Sequence, residues 1–224
     1  MQRYIDPIDR LRQSNQRFLI LLCLILGLLV IVPILQRFVA LRIFIDIFMT
    51  AIFISMVYTF SYKKVHVVAG VFLAVVMLAS LWLQYLDPNK WILPVGMLAG
   101  VIFIAMVIAS IISLIIKSEE ICREIIYAAI LMYLLAALMW AFIYTFLELV
   151  DPASFNIALN RSDGYLPVFQ YYSFVTITTL GYGDITPITD VAKAFSMLEA
   201  VIGQLYLVVA VAWLVGMHVS TKSR

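Results

Sequence analysis

Thr176-Ile-Thr-Thr-Leu-Gly-Tyr-Gly-Asp184 is the stretch on which the reading of this chain turns. A Gly-Tyr-Gly alone is only a turn, because glycine takes positive φ at little steric cost. Its surroundings change that reading. An amphipathic segment at about 167–178 runs directly into it, and the connection 151–190 that holds both lies between two apolar runs, 125–147 and 191–217. A segment that enters a membrane and turns back without crossing it has this pattern. Irregular backbone at membrane depth is tolerated only where it lines water or is covered by protein.

Outward from that connection the chain is apolar almost throughout, with 65% hydrophobic and 12% charged residues over 224 positions. No water-soluble globule of this size needs so much for its core. Runs with few or no charges recur at 18–35, 41–62, 65–86, 91–116, 125–147 and 191–217, most of them near the ~20 residues a spanning helix requires. The first is read as a retained helix, because its polar leader contains Asp6, Pro7 and Asp9 and no small-residue cleavage site follows. The expected fold is an all-α membrane protein of six transmembrane helices, with a re-entrant pore helix and loop between the fifth and sixth.

Charge sets the orientation. With the N-terminus inside, Arg3, Arg10, Arg12, Arg17, Lys63, Lys64, Lys117, Arg123, Lys222 and Arg224 are cytoplasmic, leaving Arg37, Arg42, Lys90, Arg161 and Lys193 outside. That excess is the bias of cytoplasmic loops, so both termini are expected in the cytoplasm. A plasma (bacterial inner) membrane is the expected location. The net charge of +2 suggests lipid headgroups as neighbours rather than nucleic acid. Cys23 lies in an apolar run and Cys122 in a cytoplasmic loop, so no disulfide between them is expected.

The nine residues 176–184 resemble the potassium-channel signature, with Leu180 where valine is more usual. The resemblance extends to 127–155, which includes Ala-Ala-Leu-Met-Trp-Ala-Phe-Ile-Tyr and Asp-Pro-Ala-Ser-Phe, and to 199–216. These look like the outer and inner pore helices of small bacterial potassium channels, whereas the first four runs match only in number and length. The resemblance implies a homotetramer, since one chain carries one pore loop and a ring needs four. It also implies K+ as the permeant ion, with no other cofactor. The physics agrees: a dehydrated K+ needs stacked rings of oxygen, and backbone carbonyls supply them. The filter ligands are then expected at Thr179, Leu180, Gly181 and Tyr182, followed by Gly183, with the Thr179 hydroxyl at the inner mouth. Filter support is expected from Thr176, Thr178, Asp184, Tyr171 and Tyr172, the two tyrosines forming an aromatic cuff that hydrogen-bonds Asp184. In related channels an acid at the position of Glu148 braces the pore; the plain alternative is a solvated helix end.

Domain organisation follows: a cytoplasmic N-terminus at 1–17, a four-helix transmembrane domain at 18–116, a cytoplasmic linker at 117–124, a pore domain at 125–217 and a short cytoplasmic tail at 218–224. No fused ligand-binding module is expected behind the last helix. Gly203 has two readings, a hinge that lowers the cost of bending or a site of close helix packing. Val211, Val215 and Val219 form a stripe that either gates the pore by dewetting or faces lipid and packing neighbours. Arg42 and Asp46 stand one helical turn apart and are expected to pair. His66 and His218 form no metal cluster. The fourth run, 91–116, contains no Arg, Lys, Asp or Glu, so weak or no voltage gating is expected.

No nucleophile and base arrangement or phosphate-cradling loop stands out, and no enzyme is expected. Two other functions compete: a non-selective cation channel, which usually disturbs the signature, and a non-conducting accessory subunit of the membrane.

Overall fold

A computed structural model describes residues 17–30, 41–60, 64–86, 91–116, 118, 123–157 and 164–222. The expectations placed on residues 1–16, Cys122 and most of the linker, and on the side chains of Arg42, His66, His218 and Val219, lie outside the described residues and side chains. In chain order the elements are α1 (Arg17–Val30), α2 (Leu41–Phe60), α3 (Lys64–Leu83), α4 (Ile92–Ile116), α5 (Arg123–Val150), β1 (Phe155–Ile157), α6 (Tyr165–Ile177), β2 (Ile185–Pro187) and α7 (Asp190–Lys222). Among the described residues, the segments Ile92–Ile116, Arg123–Val150 and Asp190–Gly216 are long and apolar enough to cross a membrane, while the apolar stretches within α1, α2 and α3 are shorter. A helix closes every backbone hydrogen bond within itself, which is why apolar runs of this kind take that form in lipid.

The helices α1 to α5 share one core, in which Phe53 stacks on Phe103 at 5.2 Å and tilts against Phe142 at 5.9 Å. Two glycines bring α4 into it. A Cβ at Gly96 would overlap the Ser80 side chain of α3, and one at Gly100 would lie 2.8 Å from the Phe142 ring of α5. Small residues one turn apart let backbones approach closely where no hydrophobic drive between helices exists. Pro94 falls in the first turn of α4, where its missing N–H costs nothing. Asp46 of α2 is buried and accepts the Tyr85 hydroxyl at 2.6 Å.

A second core, mostly aromatic, joins α5, β1, α6, β2 and α7 around Tyr144, Phe155, Phe169 and Tyr172. The strands pair antiparallel in the register Phe155↔Pro187, Asn156↔Thr186 and Ile157↔Ile185. This short ladder ties the end of α5 to the start of α7 and so closes the loop that carries α6. Thr189 caps α7, its hydroxyl accepting the Ala192 N–H at 3.3 Å.

Candidate functional site

The site begins where α6 ends. Thr178 closes the helix, and the chain folds back on it: the N–H groups of Leu180 and Gly181 reach the Val175 carbonyl at 3.0 and 3.4 Å, and Thr179 N–H reaches Thr176 at 2.9 Å. Beyond this cap, φ is positive at Thr179 (60°), Gly181 (56°) and Gly183 (77°), but not at Leu180 or Tyr182. Positive φ at every second residue departs from a regular strand, in which φ stays negative throughout. Two of the three left-handed positions are glycines and bear this freely. Thr179 is β-branched, and the same conformation costs it about 1–2 kcal/mol. Such strain gathers at functional sites, where surrounding structure holds it.

Residues 178–184 are exposed in the single chain, Leu180 by 59% and Tyr182 by 67%, and no atom lies within 4 Å of a Cβ at Gly181 or Gly183. The support lies behind them. Tyr171 donates its hydroxyl to Asp184 Oδ2 at 2.8 Å, and Asp184 Oδ1 accepts the Ile185 N–H at 3.1 Å. Tyr172 points the other way: its hydroxyl meets Ser196 of α7 at 2.8 Å, and its ring stands edge-on to Tyr144 at 5.1 Å. Thr176 and Thr178 return their hydroxyls to the helix, to the carbonyls of Tyr172 and Phe174 at 2.8 and 2.6 Å.

Glu148 is buried at the end of α5, where its two oxygens accept the N–H groups of Ala153 and Phe155, both at 3.1 Å. It anchors a turn in which Ala153 has φ 73°. Gly203 lies against the last turn of α6 inside an unbroken α7, whereas Val211 and Val215 are exposed in the single chain.

Three residues that sequence reasoning passed over complete the frame. Glu199 of α7 is fully buried and meets Ser173 of α6 and Tyr144 of α5, each at 2.5 Å. Tyr133 of α5 donates to the Ile177 carbonyl at 2.9 Å, satisfying an orphan acceptor at the end of α6, and stacks on Tyr206 of α7 at 5.7 Å. The signal for Glu199 was present, since it is the only acid in 191–217 and an intramembrane acid points to function by default.

Residues 125–219 match a protein-family model described as "Ion channel", which spans less than half of the chain. No curated protein and no solved structure matches. The match covers nearly all of α5, α6 with its exposed turn, and nearly all of α7, and together with the long apolar helices it supports an ion channel and an integral membrane protein.

Proposed function

We propose that this chain is one subunit of a homotetrameric, potassium-selective channel that conducts K+ passively through a central pore. The observation that carries the reading is the alternating sign of φ from Thr179 to Gly183, directly after a helix of 13 residues, which we read as turning consecutive carbonyls to one side. A backbone that turns consecutive carbonyls to one side is what a dehydrated K+ requires, and few other functions ask for it. The ligands are the carbonyls of Thr179, Leu180, Gly181 and Tyr182, with the Thr179 hydroxyl.

Four copies follow from the same reasoning. A single strand of carbonyls is no cage, and the exposed loop and largely uncovered α7 need partners, which a closed ring provides. All six apolar runs cross the membrane in this reading, with both termini in the cytoplasm, and the four helices ahead of the pore domain act as a scaffold.

Purified protein in vesicles tests the proposal. Native mass spectrometry should give a tetramer, and flux should favour K+ over Na+. Equal passage of the two ions would favour the non-selective reading, and a tetramer that passes neither would favour an accessory subunit.

A further inference from the structure

Glu199 is set where α5, α6 and α7 meet, and the heavy atoms around it constrain its protons. Its Oε1 lies 2.5 Å from Ser173 Oγ, and its Oε2 lies 2.5 Å from the Tyr144 hydroxyl. Ser173 Oγ is also 2.7 Å from the Ala137 carbonyl oxygen. A hydroxyl carries one hydrogen, and a carbonyl can only accept. With Glu199 ionised, both neighbours of Ser173 would be acceptors, and one contact would set lone pair against lone pair at hydrogen-bond distance. Tyr144 does not relieve this, because its hydrogen serves Oε2 and its next acceptor, the Phe195 carbonyl, is 3.4 Å away. A proton on Oε1 satisfies every contact: Glu199 donates to Ser173, Ser173 to Ala137 and Tyr144 to Glu199.

The surroundings agree with a neutral group. The titratable side chains within electrostatic reach are phenols, Tyr133 and Tyr144 from α5 and Tyr172 from α6. The ion pair among the described residues joins Lys193 to Asp190 and does not involve Glu199. An isolated carboxylate in so apolar a place is costly, whereas an acid with a full set of partners is not.

We propose that Glu199 is a positioning residue for the filter and acts as a neutral carboxylic acid. Its relay through Ser173 to Ala137, with Tyr144 closing the other side, fixes α6 between the outer and inner helices. One turn further along, Ile177 rests on Gly203 and accepts from Tyr133, and the filter strand starts two residues later. Register at Ser173 is therefore register at Thr179. The inference rests on the channel reading above.

The test uses tetramers in vesicles, with the K+ to Na+ flux ratio followed from mildly acidic to strongly alkaline buffer. Glu199→Gln keeps one donor and one acceptor, so it should retain the wild-type ratio. Glu199→Ala and Ser173→Ala should each lower that ratio by roughly threefold or more, the change expected when a hydrogen bond of ordinary net strength is lost, and Ser173→Thr should restore it. The wild-type ratio should fall in alkaline buffer while that of Glu199→Gln holds. Infrared spectra at neutral pH should show a carboxylic acid C=O band in wild type that is missing in Glu199→Gln.

The proposal is overturned if intact Glu199→Gln tetramers lose selectivity as Glu199→Ala does, or if the acid band is the same in both proteins. Should Glu199→Ala fail to assemble, Ser173→Ala decides, and an unchanged ratio there is equally fatal. A wild type with no preference for K+ defeats the potassium reading and the positioning role together. The infrared difference would still report the proton on Glu199, so the two failures are distinguishable.

Discussion

Ile177 and Gly203 face each other so closely that a Cβ on Gly203 would lie 2.6 Å from Ile177 Cγ1 and 3.0 Å from its carbonyl oxygen. The pair repeats the Ser173 and Glu199 contact one turn along both helices, so α6 and α7 run side by side in a fixed register. Glycine here makes room for a neighbouring helix, whatever else it permits. Gly203→Ala is expected to lower the stability of the protein by about 1–3 kcal/mol through overpacking. A thermal melt of the variant beside the wild type reads that loss directly.

A different cost governs Gly181. Its φ of 56° is left-handed and its Cβ would meet nothing within the chain, so alanine is penalised by conformation, about 1–2 kcal/mol per subunit. In the proposed ring of four the penalty repeats. Gly181→Ala should therefore cripple selective conduction while leaving assembly intact, and an unshifted reversal potential in mixed K+ and Na+ would remove residues 179–182 from the role of ligands.

The turn after α5 offers the opposite experiment. Ala153 holds φ 73° because Glu148 accepts its N–H and that of Phe155. Ala153→Gly should relieve strain and stabilise by about 0.5–1 kcal/mol. Glu148→Ala should destabilise by about 1–3 kcal/mol, since it strands the buried N–H of Phe155. Melting curves of the two variants should move in opposite directions.

Much of this was legible in order along the chain, because apolar runs and a Gly-Tyr-Gly flanked by threonines are local patterns. The helix α6 ends within a residue of its expected stop at Thr178, and the last helix covers its expected run. The frame was not legible in the same way. Glu199 finds Ser173 and Tyr144 at separations of 26 and 55 residues, and Tyr133 finds Ile177 at 44. Nothing local in the sequence specifies such partners. Tyr171 and Tyr172 are neighbours of one type, and only the faces of α6 separate them, one toward Asp184 and the other toward Ser196.

The C-terminal half of α7 carries Val211 and Val215 one turn apart, exposed by 59% and 57% in the single chain. If four copies bring this face to an axis, an apolar ring there closes by dewetting. Val211→Asp or Val215→Asp should then hydrate the constriction and raise open probability. Assembled tetramers of both variants with unaltered currents would move the gate away from this stripe.

The last prediction concerns voltage. Six apolar runs with one pore loop invite comparison with voltage-gated channels, whose fourth helix moves charge through the field. Here α4 spans Ile92–Ile116 and reads ILPVGMLAGVIFIAMVIASIISLII, without Arg, Lys, Asp or Glu. One face is also committed to packing, through Gly96 against Ser80 and Gly100 against Phe142, so sliding the helix would break two close contacts. One elementary charge crossing the whole field is worth about 2.3 kcal/mol per 100 mV, and steep gating needs several per subunit. Asp46 of α2 is buried and bonded to Tyr85 in the turn after α3, which ties the two helices together. On the proposed reading, ion occupancy of the filter is then the main source of voltage dependence, and that dependence is shallow. Steady-state open probability should vary gently across a wide range of potentials in planar bilayers. A Boltzmann slope equivalent to several charges per tetramer would require a moving charge that α4 does not carry.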